Sequence, residues 1–204
     1  MIRVVDYGVG NIQAFLTMFK RLGIGAERAR TVADLDDAQR LILPGVGAFD
    51  HAMQLLNQSG LLPRLQTLVH EHKMPVLGVC VGMQMLADSS DEGMLPGLGW
   101  VPGRVRSFAS QGASATLPMP HMGWNDVVPR EGHPLFVGFE PSPRFYFLHS
   151  YYFECQQPGH GAAKAHYGID FDCVVSRGHV HGVQCHPEKS HHFGAQLLKN
   201  FASC

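Results

Sequence analysis

The sequence has no excess of either charge. Its formal net charge is -1, so it lacks the basic footprint by which a protein holds nucleic acid. It has no apolar stretch approaching the roughly 18 residues that cross a bilayer, and no membrane partner is expected. Residues 1–6 lack the basic region and continuous apolar core of a signal peptide and read instead as a strand. No cysteine pairing pattern is present: Cys80, Cys155, Cys173, Cys185 and Cys204 are scattered and odd in number. That argues against a disulfide framework and for a reducing compartment, so a cytoplasmic protein with free thiols is expected. No repeat, low-complexity tract or long linker divides the chain. Its 204 residues, 45% hydrophobic, suffice for one core, and a single domain spanning 1–204 is expected. Structural-zinc spacing of the Cys-x2-Cys kind is also missing. His179, His181, His186, His191, His192 and Cys173 crowd the last strands and the start of the last helix, but without that spacing no metal is expected.

The first half alternates short apolar runs with helical patterns. Residues 2–6 read as a strand, Asn11 as the cap of a helix carrying Ile12, Phe15, Leu16, Phe19 and Leu22 on one face, and Gly23 as its end. Residues 40–43 form a second apolar run, followed by Pro44-Gly45-Val46-Gly47. Residues 55–72 read as helix broken at Gly60 and Pro63, residues 75–79 as a third strand, and 81–87 as helix. Strands separated by helices imply crossover units. The expected fold is α/β: three layers, a mostly parallel central sheet with helices on both faces. Asp6, Pro44 and Cys80 all follow strand ends, and ligands in such sheets bind at the carboxyl rim.

The second half is richer in strands and turns. Residues 100–108, 117–128, 144–154 and 162–166 read as strands. Residues 173–176 and 180–184 read as a hairpin turning at Arg177-Gly178. This region is expected to be partly antiparallel. Ser190 is placed as the cap of a last helix with Phe193, Leu197, Leu198 and Phe201 inward.

Gly78-Val79-Cys80-Val81-Gly82 follows the apolar run 74–77. Gly-x-Cys-x-Gly behind a buried strand is the grammar of a nucleophile elbow, where the chain turns sharply and holds one reactive group out at a helix start. Glycines on both sides let backbones crowd together, and a helix N-terminus favours a thiolate. Taken alone, the motif also fits a small buried cysteine. A thiol nucleophile needs a base and a group that orients the base. Val183-Gln184-Cys185-His186-Pro187-Glu188 offers both, His186 as base and Glu188 as orienter, with Pro187 stiffening the turn. Acyl chemistry also needs donors for an oxyanion. The amides of Val46 and Gly47, after the second strand, and of Val81, after the nucleophile, are the candidates; a plain turn is the alternative for the first two.

Together, Gly78-Val79-Cys80-Val81-Gly82-Met83-Gln84 and Val183-Gln184-Cys185-His186-Pro187-Glu188-Lys189-Ser190 resemble the triad (class I) glutamine amidotransferases. Asp6-Tyr7-Gly8-Val9-Gly10-Asn11, Pro44-Gly45-Val46-Gly47, Pro120-His121-Met122-Gly123-Trp124-Asn125 and Tyr146-Phe147-Leu148-His149-Ser150-Tyr151 narrow the resemblance. They are similar to the family of glutaminase subunits of imidazole glycerol phosphate synthase, and the similarity runs from residue 1 to the C-terminal helix. The resemblance implies glutamine hydrolysis by Cys80, His186 and Glu188, without a cofactor. It implies that Gln84 and Glu92 contact glutamine, and that backbone at Ser150 and Tyr151 holds its amino-acid end. It implies a heterodimer with a (βα)8 barrel cyclase that receives the ammonia, with Asn11, Trp124, Tyr146 and Lys189 toward that partner. The products would be imidazole glycerol phosphate and an aminoimidazole carboxamide ribotide, in histidine biosynthesis. The alternatives are an amidotransferase subunit of a related pathway, a stand-alone γ-glutamyl thiol hydrolase, and a non-catalytic interaction subunit. Two departures stand out. Val81 replaces a commoner leucine, and Cys185 replaces a commoner phenylalanine and sets a second thiol near Cys80.

Overall fold

The computed structural model describes residues 1–111, 117–139 and 142–204. In chain order the elements are β1 (Ile2–Val5), α1 (Ile12–Arg21), β2 (Ala26–Ala29), β3 (Arg40–Gly45), α2 (Phe49–Gln58), α3 (Leu62–His70), β4 (Val76–Cys80) and α4 (Val81–Gln84). Then come β5 (Ser89–Ser90), β6 (Gly103–Ser107), β7 (His121–Asp126), β8 (Val128–Pro129), β9 (Arg144–His149) and β10 (Tyr151–Cys155). The chain closes with β11 (Gly161–Tyr167), β12 (Ile169–Arg177), β13 (Val180–Val183) and α5 (His191–Phe201).

The main sheet runs β2-β1-β3-β4-β13-β12-β10-β6-β5, with β11 and β8 branching from β12. From β2 to β13 every pairing is parallel. Strands buried on both faces read as continuous apolar runs, and β4 is buried at all of its positions. Beyond β13 the pairing with β12, and of β12 with β10 and β11, is antiparallel. The α/β architecture with a partly antiparallel second half is therefore the one the pattern predicts. The sheet grows one way from β1 to β2 and the other way from β3 to β4. Right-handed crossovers then set α1 on one face and α2 and α3 on the opposite one; α5 packs beside α1.

Local differences from the expected elements have local causes. Pro63 does not break a helix. It lies in the first turn of α3, where its missing N–H has no intrahelical partner to lose, and the interruption sits before it, at Gly60 with φ 74°. Residues 144–154 are two strands in two sheets: β9 pairs with β7 in a separate two-stranded sheet, whereas β10 joins the main one. The chain changes sheets at Ser150. Asn11 does cap α1, accepting a hydrogen bond from the Ala14 amide.

Among the described residues four imidazoles besides His186 are buried: His121, His133, His149 and His181. His133 Nε2 lies 3.0 Å from Ser176 Oγ, which also bonds His181 Nδ1. Burial pushes His121, His133 and His181 down to about 4 and His149 to about 3. The unfolded chain takes up protons at these positions below about pH 6.5, while the folded chain stays neutral there until about pH 4. Their contribution is therefore fully present above about pH 6.5 and is lost as pH falls toward 4. Roughly 2 kcal/mol per imidazole is expected, so the thermal midpoint should fall steeply between pH 6.5 and 4.5. A midpoint flat across that range would contradict the buried, neutral assignment.

Candidate active site

β3, β4 and β13 end side by side: Gly45 is in register with Cys80, and Val183 with Val79. The loops that leave them therefore meet at one rim. Cys80 closes β4 with φ 56° and ψ -115°, a left-handed backbone that costs a non-glycine residue on the order of 1–3 kcal/mol. The flanking glycines allow it. A Cβ on Gly78 would lie 2.5 Å from the Gly82 carbonyl oxygen, and one on Gly82 would overlap the Leu43 carbonyl oxygen. The next helix, α4, has four residues, not the seven of residues 81–87, so its dipole is weak. Specific neighbours replace it as the environment of the sulfur. The Gln184 amide Nε2 stands 3.9 Å from Cys80 Sγ, and the Leu148 carbonyl 4.0 Å away.

His186 lies just past β13 and is 5% exposed. Its backbone is pinned at both ends: its N–H donates to the Tyr146 carbonyl at 2.9 Å, and its carbonyl accepts from Ser190 Oγ at 2.6 Å. Ser190 Oγ also accepts from the Tyr146 amide at 3.0 Å. The expected side-chain cap of α5 is thus absent, because the hydroxyl ties the His186 turn to β9 instead. His186 Nδ1 lies 2.8 Å from Glu188 Oε1. The carboxylate accepts that proton, leaving Nε2 for the thiol. Burial opposes charge on the ring, but hydrogen bonds and charge from Cys80 and Glu188 outweigh it and raise the imidazole to about 9. A protonated His186 at neutral pH stands ready to give up a proton next to Cys80. α5 can approach this turn because residue 194 is glycine; a Cβ there would overlap the Pro187 carbonyl oxygen.

A cavity of about 280 Å³ opens over the sulfur. Cys80, His186, Val81, Val46 and Gly47 line it, and so do Gln84, Glu92, Ser150 and Tyr151. Gln84 is buried and donates from Nε2 to the Tyr151 carbonyl at 3.2 Å and to Gln184 Oε1 at 3.1 Å. Glu92 Oε2 accepts from the Phe49 amide at 2.9 Å. Burial raises its pKa, the Phe49 hydrogen bond lowers it, and the charge of Asp50 raises it again, for a net rise. Gly47 has φ 83°, a conformation that favours glycine.

The profile of the family "Glutamine amidotransferase class-I" matches residues 3–203. The chain is a class-I glutamine amidotransferase. It is 59% identical, over 99% of both chains, to the imidazole glycerol phosphate synthase subunit HisH of Bdellovibrio bacteriovorus. It is 47% identical to the HisH subunit of Leptospira interrogans, over 100% of both chains. A solved glutamine amidotransferase superposes with a TM-score of 0.77 at 22% identity, covering 100% of this chain and 99% of that one. The PurLQS structure from Thermotoga maritima gives 0.70 at 16% identity, covering 99% and 97%. At those identities the structures speak for the fold.

In this amidotransferase the four residues expected at a partner surface divide. Trp124 is 40% exposed on β7 and stacks on His191, ring centroids 5.4 Å apart and planes 5° off parallel. It meets Tyr146 edge-on at 6.4 Å, and Lys189 Nζ stands 5.7 Å from the Tyr146 ring centre. Asn11 is exposed at the start of α1. The crowded histidines diverge. His179 Nε2 bonds the Val69 carbonyl at 2.8 Å, His181 bonds Ser176 and His191 lies on Trp124. Among the described residues no group of side chains is arranged to hold a metal ion. All five cysteines are free, and burial pushes the Cys185 thiol well up. Three site neighbours, Gln184, His149 and His121, have no role assigned in the sequence reading, although each stands in a segment quoted there. The signal for Gln184 was present, a polar residue ending an apolar strand just before Cys185-His186. The two histidines stand inside two of the segments that carry the resemblance, but their roles depend on each other across 28 residues, which neither segment shows.

Proposed function

We propose that the chain, acting as one domain over residues 1–204, is the glutaminase subunit of an imidazole glycerol phosphate synthase. It would hydrolyse glutamine with Cys80, His186 and Glu188. The ammonia would pass to a (βα)8 cyclase partner, giving imidazole glycerol phosphate and an aminoimidazole carboxamide ribotide in histidine biosynthesis. The observation that carries this is an imidazole held by a carboxylate at 2.8 Å in the cavity over the elbow cysteine, in a chain 59% identical to a HisH subunit.

In this reading the Cys80 thiolate adds to the carboxamide carbon of glutamine, and the amides of Val46, Gly47 and Val81 receive the oxyanion. His186 gives its proton to the amide nitrogen, the C–N bond breaks, and ammonia leaves a γ-glutamyl thioester. Water then attacks with His186 as base, the C–S bond breaks, and glutamate leaves with the thiolate restored. Glu188 keeps the imidazole oriented and stabilises its charge. Gln84 and Glu92 line the glutamine site, Glu92 facing the α-ammonium, and backbone at Ser150 and Tyr151 holds the other end. Asn11, Trp124, Tyr146 and Lys189 face the cyclase; an aromatic anchor such as Trp124 suits the centre of an interface.

The test is a titration of the chain with a purified (βα)8 cyclase while glutamate release is measured. Glutamine hydrolysis is expected to rise at least about tenfold in the complex, and Trp124→Ala to weaken association by about 1–3 kcal/mol. Full hydrolysis without the cyclase, unchanged by adding it, would point to a stand-alone thiol hydrolase.

A further inference from the structure

A line of hydrogen bonds runs from β7 to the glutamine cavity, and its direction can be derived. The Tyr151 carbonyl can only accept, and His149 Nδ1 lies 2.7 Å from it. His149 Nδ1 therefore carries the proton. The ring is neutral, since burial first and the neighbouring imidazoles next push it to about 3, so its Nε2 is an acceptor. His121 Nδ1 stands 2.9 Å from that Nε2 and must donate. His121 Nε2 is then an acceptor in turn, and Asn125 Nδ2 stands 3.2 Å from it. Asn125 is fixed in this sense: its Oδ1 accepts from the Asp126 amide at 2.8 Å, and its Nδ2 also donates to the His166 carbonyl at 2.9 Å. Each ring thus holds its proton on Nδ1, the tautomer that free imidazole side chains populate less. His121 is clamped between Tyr167 and Phe147, centroids 4.1 and 5.0 Å away.

We propose that His121 and His149 are positioning residues for the glutamine site, forming with Asn125 a one-way relay that fixes the Tyr151 carbonyl and, through it, Gln84. That carbonyl receives His149 on one side and Gln84 on the other, and Gln84 leads on through Gln184 to Cys80. His149 lines the cavity and His121 stands behind it; both act by setting the backbone at Ser150-Tyr151, where the chain changes sheets. The ligand's identity rests on the glutaminase reading, whereas the relay itself does not.

Two measurements test it. Nitrogen-15 spectra of the imidazoles in the full chain are expected to show His121 and His149 as Nδ1–H tautomers at pH 7. In the complex with the cyclase, His121→Phe keeps the stacking and removes the donor, leaving a buried acceptor on His149 unpaired. It is expected to raise the KM for glutamine about tenfold with kcat within about twofold, the mark of lost ground-state positioning. His121→Asn, whose amide nitrogen takes the place of Nδ1, should restore most of the affinity. An Nε2–H tautomer on either ring overturns the relay, and so does a wild-type KM in His121→Phe. If His121→Phe does not fold, the tautomers of the unaltered chain decide. If the unaltered complex hydrolyses no glutamine, the glutaminase reading falls, and the tautomers still decide the relay.

Discussion

Cys80→Ala is expected to abolish glutamine-dependent synthesis by the complex, a loss of at least about 10⁴-fold, and to leave synthesis from added ammonium salt within about twofold of the unaltered complex. Two facts make the effect so large. The sulfur is the nucleophile of the proposed reaction, and the groups around it have no other target: His186, raised to about 9 by Cys80 and Glu188 acting against burial, has nothing to protonate once the thioester cannot form. Structural damage should be small, since alanine removes one atom from a position that tolerates its backbone because of Gly78 and Gly82. The assay measures product formation from both nitrogen donors. Equal loss with ammonia would mean that Cys80 supports the assembly rather than the chemistry. Retained activity with glutamine would remove it from the reaction altogether.

The largest loss of stability is expected from Gly82→Ala. A Cβ there overlaps the Leu43 carbonyl oxygen and meets the carbonyl carbon of Pro44 at 3.1 Å. Those are backbone atoms of β3, central in the parallel sheet and in register with β4 along its length. They cannot move without separating the two strands. Overpacking of this kind on rigid backbone should cost at least about 4 kcal/mol, lowering the thermal midpoint by roughly 10 °C or preventing folding. Gly159→Ala is the control. Its Cβ would meet no atom within 4 Å, so its stability should stay within about 0.5 kcal/mol of the parent. Equal midpoints for the two variants in thermal melts would show that the elbow is looser than its geometry indicates.

The inner parallel strands β3 and β4 were readable because they are apolar runs bounded by glycine and by helical periodicity, as at residues 75–79; the edge strand β2 was not, because Ala26-Glu27-Arg28-Ala29 carries two charges and only Ala29 is buried. The elbow was readable because its requirement is local: one reactive residue between two glycines at a strand end. The same holds for His186-Pro187-Glu188, where base and orienter are two residues apart and proline restricts the turn between them. The limits appear where distant groups compete for one atom. Ser190 looks like a helix cap in the sequence, yet its hydroxyl is taken by the His186 carbonyl and the Tyr146 amide. Residues 144–154 look like one strand, yet β9 and β10 belong to different sheets.

By itself, the order of residues determined which groups carry the proposed chemistry, since a nucleophile and a base with its orienter were each written into a few consecutive positions. Only the tertiary structure decided what surrounds them: that Gln184 rather than a long helix faces the sulfur, that the chain crosses between sheets at Ser150, and that His121 and His149 hold the cavity wall. Those arrangements are hydrogen bonds between segments far apart along the chain. Their partners are chosen by packing, which local propensity and spacing do not encode.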